Sequence, residues 1–413
     1  MGTNISGSPE PAALDVLVVG AGPAGSATAA LLAREGHAVA MVDRSAFPRD
    51  KACSEYMGPE TVRILARLGV LDELEATGAP PLEGTEVTAA RGSRLRGVFA
   101  LAGHRPFRST GLSVSRRVLD AALVRAAVRS GATLVERIAV EELVYDRGAV
   151  GGVVVRESDG TRRTIRARLT IGADGLRSIV ARRIGRMRYG LPRRLGFVAH
   201  LDGVEGMARS AELFVGHAGY VGLNPIGGDR TNVALVVPAS RAASARGRAE
   251  EFFFEALRGF GEVHDRIERA SIARRVLVTG PFATSAGRVT ADGAALVGDA
   301  ADFFDPFTGE GIFSALRGAE LLADAAAEAL AQGDPVSRFA LSPYRRARYQ
   351  VFAGKWMVER LIGYGMLWPA LFDRAVARLG HRGSMAHTLI GVTGDFVPAR
   401  AVLNPLFLAR MML

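Results

Sequence analysis

Cysteine and lysine are nearly missing from this chain of 413 residues, which contains one cysteine, Cys53, and two lysines, Lys51 and Lys355. A single cysteine cannot form an internal disulfide, and it excludes a cysteine-based metal cluster. The other basic side chains are arginines, a bias typical of a GC-rich genome, and no basic run is interleaved with aromatic residues. We therefore expect no nucleic-acid partner. The net charge of +10 still favours anionic cofactors or an anionic membrane face.

Long apolar runs and hydrolytic or metal-binding motifs are also missing. No run of 18 apolar residues is present to span a bilayer, and residues 1–13 lack the charged and apolar parts of a signal peptide. The seven histidines show no metal-ligand spacing, and no serine stands in a nucleophile elbow. We therefore expect a cytoplasmic protein without a metal site. Its length and its 48% apolar residues predict two or three packed domains.

The hydrophobic pattern near the N-terminus predicts a βαβ unit. A buried strand over residues 15–19 leads through a glycine-rich stretch into a helix that ends at Arg34, and a second strand covers residues 38–42. Later segments continue this α/β pattern, with helices over 116–130 and 310–330. Residues 195–237 alternate instead, as in an antiparallel sheet with a turn at 227–229.

The stretch Gly-Ala-Gly-Pro-Ala-Gly at residues 20–25 predicts a dinucleotide site. Gly20 permits a tight turn, Gly22 lets backbone N–H groups approach a diphosphate, and Gly25 allows the helix to pack closely on the strand. The partial positive charge of the helix N-terminus favours the same diphosphate. Asp43 ends the second strand, where its carboxylate can accept hydrogen bonds from a ribose.

Three separated stretches carry one resemblance. They are residues 20–44, residues 172–178 (Gly-Ala-Asp-Gly-Leu-Arg-Ser), and residues 298–311, which begin Gly-Asp-Ala-Ala and end Asp-Pro-Phe-Thr-Gly-Glu-Gly. In this order they resemble the FAD-dependent aromatic hydroxylases and geranylgeranyl reductases, which share a glutathione-reductase-like FAD fold. The resemblance implies an α/β architecture in three parts: a doubly wound, Rossmann-like FAD-binding domain (12–78, 108–190 and 275–332), an inserted antiparallel β-sheet substrate domain (79–107 and 191–274) and a helical C-terminal region (333–413).

The same resemblance implies which residues hold FAD. An arginine at the start of a helix would reach the diphosphate, either Arg116 or its neighbour Arg117. Asp299 would bond the ribitol chain, with helix capping or a solvated turn as its alternative role. The expected cofactor-binding residues are Gly20, Gly22, Pro23, Ala24, Gly25, Asp43, Arg44, Arg116, Asp174, Gly175, Gly298, Asp299, Pro306, Gly309 and Gly311.

Candidate catalytic residues come from two stretches that resemble the reductases. Residues 47–56, Phe-Pro-Arg-Asp-Lys-Ala-Cys-Ser-Glu-Tyr, resemble a reductase segment in which a cysteine precedes glycines, although bulkier residues follow Cys53 here. Residues 219–225 resemble a strand of the reductase pocket. The alternatives are a buried apolar role for the cysteine and a core position for the tyrosine. The candidates are Cys53, Glu55, Tyr56 and Tyr220.

These patterns predict an FAD-dependent oxidoreductase that acts on an apolar or aromatic small molecule. NAD(P)H is the expected external reductant, and no second Gly-x-Gly-x-x-Gly stretch predicts a separate nicotinamide domain. We place a monooxygenase of secondary metabolism ahead of a C=C reductase of isoprenoids or lipids, and a halogenase or a non-catalytic flavoprotein behind both. The tail from residue 335 is expected to cover the substrate domain or to touch the inner face of the membrane.

Overall fold

The structure is a computed structural model that describes residues 14–412. Residues 1–13, where no signal peptide is predicted and where the predicted FAD domain begins, lie outside the described residues. The strands, numbered along the chain, are β1 Leu14–Val19, β2 Val39–Val42, β3 Tyr56–Met57, β4 Pro81–Leu82, β5 Gly84–Thr88, β6 Arg94–Val98, β7 Gly111–Ser113, β8 Thr133–Val135, β9 Ala139–Asp146, β10 Ala149–Arg156, β11 Arg162–Gly172, β12 Met187–Tyr189, β13 Arg194–Asp202, β14 Ser210–Gly216, β15 Gly219–Pro225, β16 Arg230–Pro238, β17 Ser271–Thr279, β18 Thr284–Ala286, β19 Thr290–Ala291, β20 Ala294–Leu296 and β21 Asp302–Phe303. The helices are α1 Pro23–Arg34, α2 Pro59–Leu68, α3 Leu71–Glu75, α4 Arg116–Arg129, α5 Ile179–Ile184, α6 Ala239–Ala242, α7 Ala249–Leu257, α8 Gly261–Ile267, α9 Gly311–Gln332, α10 Ser342–Gly365, α11 Pro369–His381, α12 Gly383–Thr393 and α13 Pro405–Met412.

The first of the two large sheets is parallel at its centre. Its strands run in the order β20-β11-β1-β2-β8, and β19 adds an antiparallel edge beside β20. Strand β1 lies between two parallel neighbours, with Val18 opposite Ile171 on one side and Met41 on the other. All three side chains are fully buried. A strand that is covered on both faces has a continuous run of apolar residues. This run is why these strands could be predicted from the sequence.

Helices cover one face of the parallel sheet, and a short helix with two antiparallel strands covers the other. The apolar sides of α1, α4 and α9 share one buried cluster with β1 on the first face, and α5 packs with β9 and β10 on the second. A Cβ on Gly25 would collide with the carbonyl oxygen of Gly20 and lie 3.1 Å from Val18. The predicted doubly wound α/β fold is therefore confirmed, with α1 packed as closely on its strand as glycine allows.

A second, seven-stranded sheet has the order β17-β13-β16-β15-β14-β5-β6, and every pair is antiparallel except β14 with β5. The predicted turn at residues 227–229 joins β15 to β16. One face is buried by α7 and α8, and Phe252, Phe253 and Leu257 of α7 pack against Val221 and Leu235. The predicted boundary at residue 274 falls within β17, which pairs with β13 as far as Thr279.

The C-terminal chain is helical, as the resemblance implies. Helices α11 and α12 contact β6, and their buried side chains join a cluster with the second sheet and with residues of the 303–307 segment. Helix α10 lies against α9. Within residues 14–412, no helix combines the length and apolar character needed to cross a membrane.

Candidate functional site

The glycine-rich loop between β1 and α1 forms an open cradle at a helix N-terminus. Gly22 precedes Pro23, the first residue of α1, and no side chain caps this end of the helix. A Cβ on Gly22 would lie 3.6 Å from Nη2 of Arg49 and 3.9 Å from Nη2 of Arg116. Two guanidinium groups and the helix dipole therefore converge on the same space, which is the donor set that a diphosphate requires.

Both guanidinium groups are held by one buried carboxylate. Arg116 donates from Nε and Nη2 to the two carboxylate oxygens of Asp120, at 2.7 and 2.9 Å, and Arg49 Nη1 lies 3.2 Å from Asp120 Oδ2. Burial opposes the charge of Arg116, but Asp120 raises its pKa above the ordinary arginine value. Asp120 thus fixes two cations beside Gly22, and the diphosphate would complete their neutralisation.

Asp43 ties the glycine loop to the end of β2. Its carboxylate accepts the N–H groups of Ala21 at 2.9 Å and of Ser45 at 2.8 Å, and Arg49 Nη2 lies 3.9 Å away. Its neighbour Arg44 is exposed. The structure therefore places Asp43 beside the cradle, and the lone pairs that these two bonds leave free are available to a ribose.

Lys51 connects the two later motifs of the resemblance. A Cβ on Gly175 would lie 3.5 Å from Lys51 Nζ, and the charges of Lys51 and Asp299 interact. Burial lowers the pKa of Lys51, and burial raises the pKa of Asp299 against the opposing effect of Lys51. Gly298 has φ +61° and faces Ala24 so closely that an added Cβ would lie 2.9 Å from that side chain. The motif at 298–299 therefore adjoins the glycine cradle.

Asp174 has one satisfied and one free carboxylate oxygen. Its Oδ2 accepts the N–H of Ile179 at 2.7 Å, whereas its Oδ1 is buried without a hydrogen-bond partner among residues 14–412. Burial raises the pKa of this carboxyl group. A buried atom without a partner costs free energy unless a ligand satisfies it. Arg49 Nε and Thr308 Oγ1 are also buried without a hydrogen-bond partner among the described residues. All three atoms lie in or next to the sequence motifs that predict FAD.

Asp305 orders the segment of residues 305–311, which we call the flavin-side motif. Its carboxylate accepts the hydroxyl of Tyr220 at 2.6 Å, a guanidinium N–H of Arg194 at 2.7 Å and the N–H of Phe307 at 3.1 Å. Pro306 begins the 3₁₀ turn that follows. The hydroxyl of Tyr220 is thus committed to Asp305, and this buried side chain supports the 305–311 segment instead of lining an open cavity.

Gly309 and Gly311 lead into α9, the longest helix on the parallel sheet. Gly309 has φ +72°, and a Cβ there would lie 2.5 Å from Cδ1 of Tyr56. Gly311 is the first residue of the 22-residue helix. The N-terminus of α9 therefore stands where it can stabilise negative charge, and Tyr56 packs directly on the turn before it.

Glu55 anchors the loop that joins Lys51 to Tyr56. It is buried at φ +61°, a conformation that costs free energy for any residue except glycine. Its Oε1 accepts the N–H of Arg116 at 2.8 Å, and its Oε2 contacts His200 Nε2 at 2.9 Å and Asn232 Nδ2 at 2.8 Å. Cys53 Sγ accepts the N–H of Glu55 at 3.3 Å, and burial raises the pKa of the thiol.

A polar row crosses four neighbouring strands of the second sheet and faces this loop. Register places Arg274 of β17 opposite His200 of β13, His200 opposite Asn232 of β16, and Asn232 opposite Asn224 of β15. The two asparagines donate to the carbonyl oxygens of Cys53 and Ser54. Nε and both terminal nitrogens of Arg274 are buried without hydrogen-bond partners among the described residues, and burial lowers its pKa.

The donor set around Gly22 therefore fits FAD: a helix N-terminus, two fixed guanidinium groups and buried oxygens without partners. The structure brings Asp43 and Arg116 to the glycine loop 20–25, and it packs Gly20 on residues 173–174 and Gly298 on Ala24. Asp299 and Gly311 line one small cavity, and Gly309 lies against Tyr56. We call the space beside these residues the FAD groove. The candidate site residues predicted from the sequence do not include Arg49, Lys51, Asp120, His200, Asn232 or Arg274. Two signals in the sequence could have identified some of them. Lysine is rare, which distinguishes Lys51, and the polar residues His200 and Asn232 interrupt strands that are otherwise apolar.

A cluster of buried carboxyl groups lies next to the flavin-side motif. Glu310 Oε2 is 2.9 Å from Lys355 Nζ, and Lys355 also contacts Asp395. Burial and the nearby charge of Glu310 raise the pKa of Glu359 to about 8, while Lys355 opposes this effect. Glu359 also lines a small cavity with Asp299, Asp302, Asp305 and Arg348. Burial also raises the pKa of Glu310, so these two neighbouring carboxyl groups together retain a proton to higher pH than free glutamates do.

Because Glu359 binds its proton more tightly in the folded chain, stability should fall as the pH rises from about 4.5 to about 8. We expect Glu359→Gln to weaken this dependence, so that the loss in melting temperature between pH 6 and pH 8 is smaller than in the wild type. Thermal unfolding followed by circular dichroism at the two pH values measures it. Glu328→Gln, at an exposed position on α9, is the matched control. An unchanged pH dependence in the Glu359 variant would contradict the buried proton.

Comparison with known proteins gives the family. The family described as FAD binding domain matches residues 13–353. Digeranylgeranylglycerophospholipid reductase 1 of Methanococcoides burtonii is 30% identical over 355 residues, which are 84% of this chain and 82% of that protein. Menaquinone reductase of Mycolicibacterium smegmatis is 32% identical over 335 residues, 75% of each chain.

Solved structures share the fold. A flavoprotein/dehydrogenase from Cytophaga hutchinsonii superimposes with a TM-score of 0.82 at 21% identity, over 97% of this chain and 96% of that one. PqsL of Pseudomonas aeruginosa, solved in complex with 2-aminobenzoylacetate, gives a TM-score of 0.72 at 23% identity, over 87% and 98% of the two chains. The chain therefore belongs to the FAD binding domain family, and it is an FAD-dependent oxidoreductase related in sequence to digeranylgeranylglycerophospholipid reductases.

Proposed function

We propose that this protein is an FAD-dependent reductase of a C=C bond in an apolar, isoprenoid-type molecule. The observation that carries the proposal is that residues 47–56, which resemble the reductases, form a wall of the FAD groove. Lys51 Nζ lies beside Gly175, Arg49 Nη2 faces Gly22, and Tyr56 packs on Gly309. The two relatives above, both named as reductases, support the same choice. This order of the two candidate chemistries is the reverse of the one that the sequence alone favoured.

The chain's own residues position the cofactor and control its charge. FAD supplies the hydride chemistry when bound, and NAD(P)H is the proposed source of its electrons. Arg49, Arg116 and the N-terminus of α1 would hold the diphosphate. Lys51 places its Nζ beside Gly175, and its charge opposes the rise in the pKa of Asp299 that burial causes. Glu55 keeps the 51–56 loop in place through His200 and Asn232.

Oxygenation of an aromatic or polyketide-like substrate is the second candidate function. The observation in its favour comes from the polar row of the second sheet. The three guanidinium nitrogens of Arg274 are buried without hydrogen-bond partners among the described residues, and a purely hydrocarbon substrate would leave them so. The likeness to the PqsL structure is a likeness of fold, and it fits either chemistry.

Reaction with and without oxygen separates the two functions. The FAD-loaded protein would be reduced with stoichiometric dithionite under anaerobic conditions and mixed with a geranylgeranyl lipid, and the products analysed by mass spectrometry. A reductase forms a product that has gained two hydrogen atoms, in the absence of oxygen. A product that has gained an oxygen atom, formed only after oxygen is admitted, would overturn the proposal and favour the monooxygenase.

We also propose that the C-terminal helices take the substrate from a membrane surface. Large apolar side chains are exposed here, among them Met357, Leu367, Trp368, Leu371 and Leu406. Such a patch is typical of an interfacial contact. We expect that replacing Trp368 and Leu371 with serine releases the protein from phosphatidylglycerol vesicles in a flotation assay. Equal flotation of variant and wild type would contradict this contact.

A further inference from the structure

A cavity of about 720 Å³ lies outside the FAD groove and is strongly basic. It opens between the loop after β18 and the start of α10, and its lining residues are Ala286, Gly287, Arg288, Val289, Thr290, Arg338, Phe339, Ser342, Arg345 and Arg346. Four of the ten are arginines and none is acidic. Asp292 accepts the backbone N–H of Arg338 at 2.7 Å but does not line the cavity. No carboxylate within residues 14–412 lies within ion-pair distance of any of the four guanidinium groups, although most ion pairs of this chain involve arginine.

All four arginines are exposed, so water screens much of their mutual repulsion, but their combined positive charge still favours a polyvalent anion. Guanidinium groups bind phosphate oxygens in a two-pronged geometry, and the volume is within the usual range of small-molecule sites. Phe339 lines the same cavity and is 83% exposed, so its ring is free to stack on a base. An aromatic ring beside clustered arginines favours a phosphorylated nucleotide over a simple inorganic anion.

The position of this cavity links it to the flavin-side motif. Arg345 and Arg348 are one helical turn apart on α10, and Arg348 forms an ion pair with Asp302 in the small cavity that also contains Asp299 and Gly311. The two cavities are separated by the ladder in which Ser285 of β18 pairs with Asp302 of β21. A ligand anchored at the arginines therefore lies next to the wall of the flavin-side cavity.

We propose that the arginine cavity binds the phosphate groups of the nucleotide that reduces the flavin, an assignment that rests on the proposed function as an FAD oxidoreductase. This cavity is separate from the apolar surface proposed for membrane contact. It adjoins the first turn of α10, whereas Trp368 and Leu371 lie beyond its last residue, and 24 helical residues span about 36 Å.

Binding to the FAD-loaded protein tests the proposal, because FAD then blocks its own diphosphate cradle. Isothermal titration with inorganic pyrophosphate, 2′,5′-ADP and NADPH would be compared in the wild type, in an Arg345→Ala/Arg346→Ala double variant and in Phe339→Ala. The matched control is Arg246→Ala, which removes an exposed arginine far along the chain from this cavity. Flavin absorbance of each sample verifies that the FAD site is intact.

We expect the double variant to weaken binding of all three probes at least about 30-fold, since two charge-assisted contacts are lost. Phe339→Ala should weaken the two nucleotides about 5-fold and leave pyrophosphate unchanged. Arg246→Ala should bind like the wild type.

Three results would overturn the proposal: no binding of any probe, binding that the double variant retains, or binding only to phosphatidylglycerol vesicles that the double variant abolishes. The last of these would assign the arginines to lipid. Failure of the proposed function is distinguishable, because it appears as a protein that does not take up FAD or shows no reductase product, whatever its affinity for nucleotides.

Discussion

Replacing Gly22 with valine is expected to abolish FAD binding and to leave the chain folded. Gly22 has φ −75° and ψ −173°, a conformation that any residue adopts, so valine adds no backbone strain. Its branched side chain would instead occupy the space between the N-terminus of α1 and the guanidinium groups of Arg49 and Arg116. We expect FAD affinity to fall at least about 100-fold, because the diphosphate loses its approach to all three donors. Flavin absorbance after gel filtration, with circular dichroism for folding, measures both parts.

Two other glycines provide controls for this result. Gly261 begins α8 with open space around the position of its Cβ, so Gly261→Val adds the same side chain without touching the cradle and should retain FAD. Gly25→Val should lose FAD for a different reason, because its Cβ would collide with the carbonyl oxygen of Gly20 and unfold the βαβ unit. Stoichiometric FAD in the Gly22 variant would refute the cradle. Loss of FAD in the Gly261 variant would show that the assay reports general damage.

The parts of the site that could be predicted from the sequence are those built by local segments. The turn at Gly20–Gly25, the acid at Asp43 and the helix start at Gly311 each depend on residues that are close together in the chain. Their backbone conformations follow from the order of strand, glycine and helix, which the apolar pattern already reveals.

The parts that could not be predicted depend on strand register and on pairing between distant segments. His200, Asn232 and Arg274 form one row only because β13, β16 and β17 pair in a specific register with two irregularities beside His200. In the sequence, Asp120 is one acidic residue on an amphipathic helix. Its contact with Arg49, which lies 71 residues earlier in the chain, appears only in the folded structure. Tyr220 illustrates the converse. Its neighbours in sequence resemble a pocket strand, but the partner of its hydroxyl, Asp305, comes from a segment that the sequence does not link to it.

Glu55→Ala is expected to destabilise the protein and to weaken FAD binding. The carboxylate accepts the N–H of Arg116 and contacts His200 and Asn232, and all of these groups are buried. Removing it leaves their hydrogen-bonding capacity unsatisfied, at a cost of about 3–5 kcal/mol in the free energy of unfolding. The loop that carries Lys51 and Cys53 would also lose its anchor, so we expect FAD affinity to fall about 10-fold. Denaturant unfolding and FAD titration measure the two effects.

Glu55→Gly distinguishes the two contributions of this residue. Glycine removes the carboxylate as alanine does, but it adopts φ +61° without strain, so Glu55→Gly should be about 1 kcal/mol more stable than Glu55→Ala although it has fewer atoms. Arg147, exposed at φ +48° in the turn between β9 and β10, is the matched control for the backbone effect alone. There glycine should exceed alanine by a similar amount, while neither variant changes FAD affinity. If Glu55→Ala unfolds at the same denaturant concentration as the wild type, Glu55 does not anchor the loop, and its contacts with His200 and Asn232 contribute nothing to stability.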